Sequence, residues 1–405
     1  MRRWALVDLE DARTIGARLR RIRKSRDKSL QVVADLTGGV VSASTLSRIE
    51  NGLRVLDRRS EIVAIANVLQ IAPSELTRQP EPAPANGDAD SAVVAVRQAL
   101  TAVSRNRPGG RVLPVDVLQI QVSDVLDAGR LCRQAKLGTV LPGLIRDLHT
   151  SIAAGRDVAE LLDLAVLLHT QGTHAWLRVM GAEVDLRSLA ALMARQAAEH
   201  RDEPTMMGLA VFADALLMLA EGDFDLARAE LDAVTVPTNT PESMQLEGML
   251  ALCRSLVAAA DRRPADVYAA LDYAGELAER TGEGNAYWLG FGPTNVALWR
   301  MAAALEAGDH ERAVTIAERL NPQMHPNRSR QAAYWIDYGR ALARLRGRQN
   351  DAVMALLRAE ALSPLHLHRN PFVPDVLAKL LVRCSGRDAV GRELRGLAYR
   401  AGLLA

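Results

Sequence analysis

A short motif that recurs through the second half of the chain constrains its fold more than any other feature. Each copy has an apolar helical stretch, a glycine (replaced by alanine at position 260), four further residues and an alanine or other apolar residue that opens the next helix. Clear copies lie at residues 222–227, 308–313 and 347–352, and weaker ones lie at 181–186 and 260–265. Glycine permits a tight turn and alanine lets two helices approach closely. The spacing is typical of helical hairpins, so this region is predicted to stack pairs of antiparallel helices.

The composition agrees with a helical protein. Hydrophobic residues make up 49% of the 405 residues, aromatic residues only 4%, and strand-like alternation is rare. A chain of this length exceeds the size at which one core usually divides. We therefore predict an all-α fold in three parts: a five-helix N-terminal domain at 1–78, a proline-containing linker at 79–92 and a helical repeat domain at 93–405. The linker is expected to let the first domain reposition relative to the last.

The stretch from Ser42 to Gly52 has the pattern of a short amphipathic helix. Ser42 is a suitable N-cap and Gly52 a suitable C-terminal stop. Leu46 and Ile49 share the apolar face, and the opposite face carries small side chains and one arginine. A basic amphipathic helix at 14–26 and a short helix ending at two glycines precede it. Two short helices joined by a glycine-containing turn are typical of a helix-turn-helix arrangement.

The charge of the chain is concentrated at its N-terminal end. Residues 1–80 carry 15 Lys and Arg against 9 Asp and Glu, whereas the remainder carries 35 against 39. Neutralisation of phosphates supplies much of the affinity of proteins for nucleic acid. The asymmetry therefore indicates a small nucleic-acid-binding module joined to a larger acidic domain.

The run from residue 15 to 76 resembles the helix-turn-helix domain of the xenobiotic-response-element family of bacterial and phage regulators. The motifs that carry the resemblance are IGARLRRIR, SLQVVA, STLSRIENG and IANVLQIAPSEL. It implies that Arg23 pairs with Glu50, which closes the recognition helix. It implies that bases are read from the start of that helix by Ala43, Ser44, Ser47 and Arg48. Contacts to the DNA backbone would come from Ser29, Gln31, Asn51 and Arg54.

Two features depart from the pattern of that family. Leu30 directly follows the N-cap of the second helix, where many members have glutamine, and Gln31 comes one position later. The turn before the recognition helix reads GGVVS where GVS is usual. We therefore expect the recognition helix to enter the DNA groove slightly displaced, and a base-reading glutamine is not implied.

Looser similarity extends over the rest of the chain. It is carried by GFGPTNVALWR at 290–300, AEALSP at 359–364, NPFVPDVLAKLL at 370–381 and ELRGLAYRAGL at 393–403. These segments resemble actinobacterial regulators that join such a head to a tetratricopeptide-like α-solenoid. The resemblance implies that the repeat domain senses a ligand. A single head buries too little DNA to be selective, so a homodimer on a roughly palindromic double-stranded operator is expected.

A cluster of glycines and aromatic residues marks a candidate site for a small-molecule or peptide ligand. It lies at residues 281–295, within the longest gap between repeat motifs. The predicted ligand-binding residues there and in the next repeat are Trp288, Asn295, Trp299, Tyr334 and Tyr338. An apolar cleft with a few polar groups suits such a ligand. Alternatively, the aromatic side chains fill gaps between helices and Asn295 bonds the first turn of its own helix.

The sequence predicts neither an enzyme nor a metal or cofactor site, because no nucleophile, phosphate-binding or metal-ligand motif occurs in it. No run of residues has the length and composition expected of a signal peptide or a membrane span. We therefore expect a cytoplasmic transcriptional regulator without a membrane partner. The alternative is a tetratricopeptide-type protein-interaction adaptor in which the DNA-binding head is secondary.

Overall fold

The computed structural model describes residues 13–77, 87–383 and 388–404, with side chains described from residue 91 onward in the second range. These residues form helices joined by turns, and no strand occurs among them. The predicted all-α fold is therefore confirmed. Most of the predicted linker lies outside the described residues.

The first five helices form a small domain, which we call the head (described residues 13–77). They are α1 (Ile15–Ser25), α2 (Leu30–Leu36), α3 (Ala43–Glu50), α4 (Arg59–Leu69) and α5 (Pro73–Thr77). The hydroxyls of Thr14, Ser29 and Ser42 accept hydrogen bonds from N–H groups in the first turns of α1, α2 and α3. These caps satisfy donors that the start of a helix leaves unpaired. Leu19 and Leu46 are fully buried in the core that the helices share.

The other helices form what we call the body (described residues 87–404). In chain order they are α6 (Gly87–Ser104), α7 (Val115–Arg130), α8 (Gln134–Ala153), α9 (Val158–Leu167), α10 (Ala175–Val179), α11 (Val184–Arg201), α12 (Pro204–Glu221), α13 (Phe224–Ala233), α14 (Pro241–Ala260), α15 (Pro264–Thr281), α16 (Pro293–Ala307), α17 (His310–Glu318), α18 (Arg328–Leu342), α19 (Gln349–Leu362), α20 (Pro364–His368), α21 (Val373–Arg383) and α22 (Ala389–Arg400). A π-helical segment, Leu168–His174, joins α9 to α10, and a short 3-10 turn, Ala286–Trp288, precedes α16.

Helix α6 corrects one boundary that the sequence predicted. It begins at Gly87, so residues 87–92 are helical, although they fall in the range predicted as linker. The physical reason lies in the residues that follow. Val96, Ala99 and Leu100 recur at helical spacing and are fully buried in the core of the body, which stabilises the helix that contains them.

The body contains the hairpins that the recurring motif predicts. Helices α12, α14, α16 and α18 pack side by side, and α13, α15, α17 and α19 each pack against the helix before them. Gly222, Gly308 and Gly347 lie in the turns within these hairpins at positive φ. The motif alanines, Ala227, Ala313 and Ala352, are completely buried. In the α14–α15 turn, where the motif has no glycine, Arg262 adopts the positive φ.

Early and late parts of the body meet. Helix α7 contacts α18 and the 3-10 turn before α16. The Trp288 indole Nε1 donates a hydrogen bond to Asp127 Oδ1 at 2.9 Å. Leu365 of α20 packs against the core formed by the earlier helices. Helices from the two ends of the body are therefore in contact with each other.

The head is docked on the body, whereas the sequence predicted a linker that lets it reposition. The Asp57 carboxylate accepts a hydrogen bond from Arg344 and lies 3.8 Å from Arg340 Nη2. Val55 of the head belongs to the apolar core of the body, and Phe372 of the body belongs to the core of the head. Shared apolar burial and a buried ion pair hold the two parts together.

Backbone contacts reinforce this docking. The Asp375 carboxylate on α21 accepts hydrogen bonds from the N–H groups of Ile15 at 2.8 Å and Gly16 at 3.4 Å, so the body caps the first helix of the head. The Ser74 hydroxyl donates to Glu221 at 2.9 Å. A Cβ atom at Gly222 would collide with Val63 of α4. The glycine that turns this hairpin thus also allows the head to approach closely.

Helix α12 is long and apolar enough to cross a membrane by length and composition, and it is the single such helix among the described residues. It packs against α11, α13 and α14, and 56% of it is buried inside the protein. These contacts are those of a core helix of the body.

Candidate DNA-binding site

The recognition helix predicted from the sequence is α3, and it presents its polar face to solvent. Leu46 and Ile49 are completely buried and attach the helix to the core of the head. On the other side, Ser44 and Arg48 are exposed, and Ala43 and Ser47 are half-buried. The four residues predicted to read bases thus have accessible surface on one helix. Arg48 is the long cationic side chain among them, and arginine can bind guanine O6 and N7 with two hydrogen bonds.

Hydroxyl groups cluster at the start of α3. Ser42 Oγ accepts a hydrogen bond from the Thr45 N–H at 3.2 Å and lies 3.0 Å from both Ser44 Oγ and Thr45 Oγ1. An open depression of about 580 Å³ between α2 and α3 is lined by Gln31, Asp35, Gly39, Val41 and the first residues of α3. The start of the recognition helix therefore offers small polar groups beside a concave surface.

The turn between α2 and α3 depends on its two glycines. Gly38 and Gly39 have φ angles of 64° and 83°, and no atom lies within 4 Å of a Cβ built on either. Backbone conformation, rather than space, therefore makes these positions suited to glycine. They allow the lengthened GGVVS turn to deliver the chain to the N-cap of α3.

Arg23 and Glu50 form the pair that the sequence resemblance implies. Arg23 Nε and Nη2 donate to the two Glu50 oxygens at 2.6 and 2.7 Å. Arg23 Nη1 also donates to the Lys28 carbonyl at 2.7 Å. The hydrogen bond with Glu50 raises the pKa of Arg23. This bidentate ion pair connects the end of α1, the following loop and the end of α3, which positions the recognition helix.

The predicted backbone-contacting residues differ in how free their side chains are. Ser29, Gln31 and Asn51 are exposed. Ser29 Oγ caps α2, Gln31 donates to Asp35 at 2.7 Å, and Asn51 donates to the Ser47 carbonyl at 2.7 Å. Arg54 is half-buried and donates to Glu61 at 2.6 Å. Its guanidinium is engaged within the head, so Arg54 is less available to phosphate than the other three.

The five residues predicted to bind a ligand all make contacts within the protein, and their role in ligand binding stays a prediction. Tyr334 is buried and donates to the Ala317 carbonyl at 2.9 Å. Tyr338 stacks near Tyr334 and Trp335, and its hydroxyl lies 3.4 Å from a Glu318 oxygen. This aromatic group packs α18 against α17.

Asn295, Trp299 and Trp288 fill spaces between helices. Asn295 is completely buried, and its amide nitrogen donates to the Gly290 carbonyl at 2.8 Å. Arg330 Nη2 donates to Asn295 Oδ1 at 3.2 Å, and its guanidinium carbon lies 5.5 Å from the centre of the Trp299 ring. The Trp288 carbonyl accepts from Asn327 at 3.0 Å. The structure thus favours the alternative in which these side chains pack between helices, although Asn295 bonds residues beyond its own first turn.

Sequence reasoning missed the residues that dock the head. Asp57, Asp375 and Arg344 contact partners more than 280 positions away. No periodicity or motif in the sequence connects such positions. The motif glycines are the sequence feature that marks this interface. Gly222 and Gly308 each turn a hairpin and also lie against the head.

Comparison with known proteins agrees with the geometry of the head. A family model described as a helix-turn-helix domain matches residues 14–79. This range contains all five helices of the head, and the match supports a DNA-binding regulator. Comparisons with curated proteins and with solved structures find no match to the chain.

Proposed function

We propose that the chain is a sequence-specific transcriptional regulator of the xenobiotic-response-element type. The observation that carries this proposal is the exposed polar face of α3, with Ser44 and Arg48 accessible on a helix that Leu46 and Ile49 fasten to the head. The basic charge of residues 1–80 supplies attraction to phosphates. Arg48 and Ser44 are the residues most suited to specify bases.

Selection of binding sites from random double-stranded DNA tests this role. Wild-type protein should enrich a defined motif, and Arg48→Ala should weaken binding to that motif by about 1–3 kcal/mol and relax one position of it. Arg346→Ala, which removes an exposed arginine from the α18–α19 turn of the body, serves as the control. Unchanged selectivity in Arg48→Ala would remove the assignment of α3 as the recognition helix.

We further propose that the protein binds its operator as a homodimer. One head contacts few bases, and a two-fold dimer that reads half-sites one or more helical turns apart is the usual solution. Because the head is docked on the body, the body would set the spacing of the two heads. Sedimentation of the protein with and without operator measures the stoichiometry, and a monomer on an asymmetric site would contradict this part.

The body is proposed to be a tetratricopeptide-like stack that senses a ligand in the cytoplasm. Support comes from the side-by-side packing of α12, α14, α16 and α18, which leaves an inner surface as in helical repeat proteins. A ligand would act by binding two arrangements of the dimer with different affinity. We propose no catalytic role for this surface.

A point variant distinguishes the proposed regulator from the alternative, a protein-interaction adaptor. Deleting the head would expose the site of Val55 and leave Arg340 and Arg344 without Asp57, so loss of activity would have two explanations. Arg48→Ala leaves the docking contacts intact. A protein that keeps its full cellular role in that variant, although its DNA binding is weakened, would be an adaptor.

A further inference from the structure

Arginine and histidine side chains from five helices and the π-helical segment lie close enough to interact electrostatically. Arg178 of α10 is their common neighbour. Arg187 of α11, Arg330 of α18 and Arg59 of the head are close enough to repel it, and His366 of α20 lies close to it. Burial, with repulsion from Arg187 and Arg59, lowers the pKa of Arg178. Burial, with repulsion from Arg178, lowers the pKa of Arg330 to about 10. Burial, with repulsion from Arg178 and Arg330, lowers the pKa of His366 to about 4.

Another imidazole belongs to the same group. His174 ends the π-helical segment and is 3% exposed. Burial, with repulsion from Arg178 and Arg187, lowers its pKa to about 3. A neutral imidazole here leaves the arginines as the source of positive charge.

Carboxylates compensate this charge only in part. Among the residues that the structure describes, no ion pair involves Arg178, Arg187 or Arg330. Arg187 is attracted by Glu221, whose carboxylate also accepts from Ser74. The other nearby acids are engaged elsewhere: Asp337 pairs with Arg340, and Glu306 pairs with Arg59.

Some of the nitrogen donors in this group also lack a partner. The buried Nε atoms of Arg330 and Arg187, and Nε2 of His174, have no hydrogen-bond partner in the described part of the chain. Arg330 is held in place by Asn295 and the Trp299 ring, and His366 by a 2.7 Å contact between its Nδ1 and Ser363 Oγ. The side chains are therefore held in position, and these buried donors are left unsatisfied by the protein itself.

Arg178 faces open space rather than a packed core. Its side chain has exposed surface, yet surrounding protein desolvates it enough to lower its pKa. Both properties together describe a side chain inside a concave, water-accessible surface. Helices α7 and α20, which both contact α18, would border such a surface.

Guanidinium groups stay protonated, so their mutual repulsion is not relieved by loss of a proton. In a region of reduced dielectric, this repulsion is stronger than in water. An anion placed between the groups would offset it, and arginine binds phosphate and carboxylate through paired hydrogen bonds. We propose that the inner surface of the body binds a small polyanion, bearing phosphate or several carboxylates, between Arg178, Arg330 and His366.

The site also provides a connection to the head. Arg59 is the first residue of α4, and its N–H donates to Glu306 at 2.9 Å. An anion beside Arg178 would reduce the repulsion between Arg178 and Arg59 and thereby tighten the docking of the head. This connection rests on the proposed function, whereas anion binding itself does not.

Binding is measured on the full chain without DNA, by calorimetry and thermal unfolding. Pyrophosphate and citrate are the probes, and sodium chloride at matched ionic strength is the reference. At least one probe should bind saturably and raise the unfolding temperature more than chloride does. Arg178→Met and Arg330→Met should each weaken its binding by about tenfold or more. Arg156→Met, which changes an exposed arginine in the α8–α9 turn, should bind as the wild type does.

A second readout separates a ligand site from a structural role. Without added anion, Arg178→Met should unfold at a higher temperature than the wild type, because it removes uncompensated charge. A lower unfolding temperature together with unchanged probe binding would overturn the proposal, as would the absence of saturable binding by both probes. Failure of the DNA selection with intact anion binding would count against the proposed function alone.

Discussion

The buried ion pair at Asp57 allows a quantitative prediction about the docking of the head. We consider Asp57→Asn, which keeps the shape of the side chain and removes its charge. Arg344 would then lose its carboxylate partner, and its remaining contact at this place is the hydrogen bond to the Val55 carbonyl at 2.9 Å. Arg340 would keep Asp337 at 2.6 Å.

The size of the effect follows from burial. The side chains of Asp57, Arg340 and Arg344 are 6%, 9% and 12% exposed. The ion pair between Asp57 and Arg344 is therefore buried. Removing one partner of a buried pair costs about 3–5 kcal/mol, because the other charge remains without compensation. Since Arg340 retains Asp337, we expect a loss of about 3 kcal/mol for Asp57→Asn.

Urea unfolding followed by circular dichroism measures the loss, and hydrogen exchange locates it. The N–H groups of Ile15 and Gly16 donate hydrogen bonds to the Asp375 carboxylate in the docked state. Their amide protons should exchange with solvent faster in Asp57→Asn. Adding Arg344→Met removes the orphaned charge and should restore most of the stability. The double variant therefore distinguishes loss of an ion pair from general damage.

Asp351→Asn is the matched control. Asp351 pairs with Arg348 at 2.6 Å, but the two side chains are 55% and 35% exposed, so this change should cost no more than about 1 kcal/mol. The reasoning would be refuted if Asp57→Asn cost no more than Asp351→Asn. It would also be refuted if the amides of α1 kept their protection.

Further predictions concern DNA binding, the hairpin turns and pH. DNA binding by the wild type should weaken steeply with salt, because phosphate contacts release counterions; filter binding over a range of salt concentrations tests this. Gly222→Ala should destabilise the protein more than Gly347→Ala in thermal unfolding. Both positions have positive φ, but a Cβ meets Val63 only at Gly222. Burial raises the pKa of Asp375 from 3.8 to about 6. Its contribution to stability is therefore greatest below the lower value and is lost, by about 3 kcal/mol, as the pH rises through the higher one. Asp375→Asn should remove that decline in urea unfolding at roughly pH 4 and pH 7.

Much of the head could be predicted from local sequence. The caps at Ser29 and Ser42, the buried pair of Leu46 and Ile49 and the turn glycines act within a few residues of one another. Helical period and capping are local properties, so the position of α3 and its exposed face follow from them. The Arg23–Glu50 contact followed from the family resemblance rather than from periodicity.

The candidate ligand site shows where such prediction ends. Aromatic residues near one another in the sequence suggested a cleft, but Trp288, Trp299 and Tyr334 pack in different spaces between helices. Composition indicates which side chains are large, and the direction in which each points depends on how neighbouring helices pack. The group around Arg178 has no sequence signal, because its members come from separate helices that only the packing of the body brings together.

The sequence by itself determined the all-α class, the hairpin period and the helix-turn-helix head, since each rests on the spacing of apolar residues, caps and glycines within a few turns of chain. Tertiary structure alone decided that the head is fastened to the body. Asp57 and Arg344 lie 287 positions apart in the sequence. Only the packing of the intervening helices places them in contact. The inner surface with its arginines has the same origin, because charge repulsion there depends on distances in space rather than along the chain.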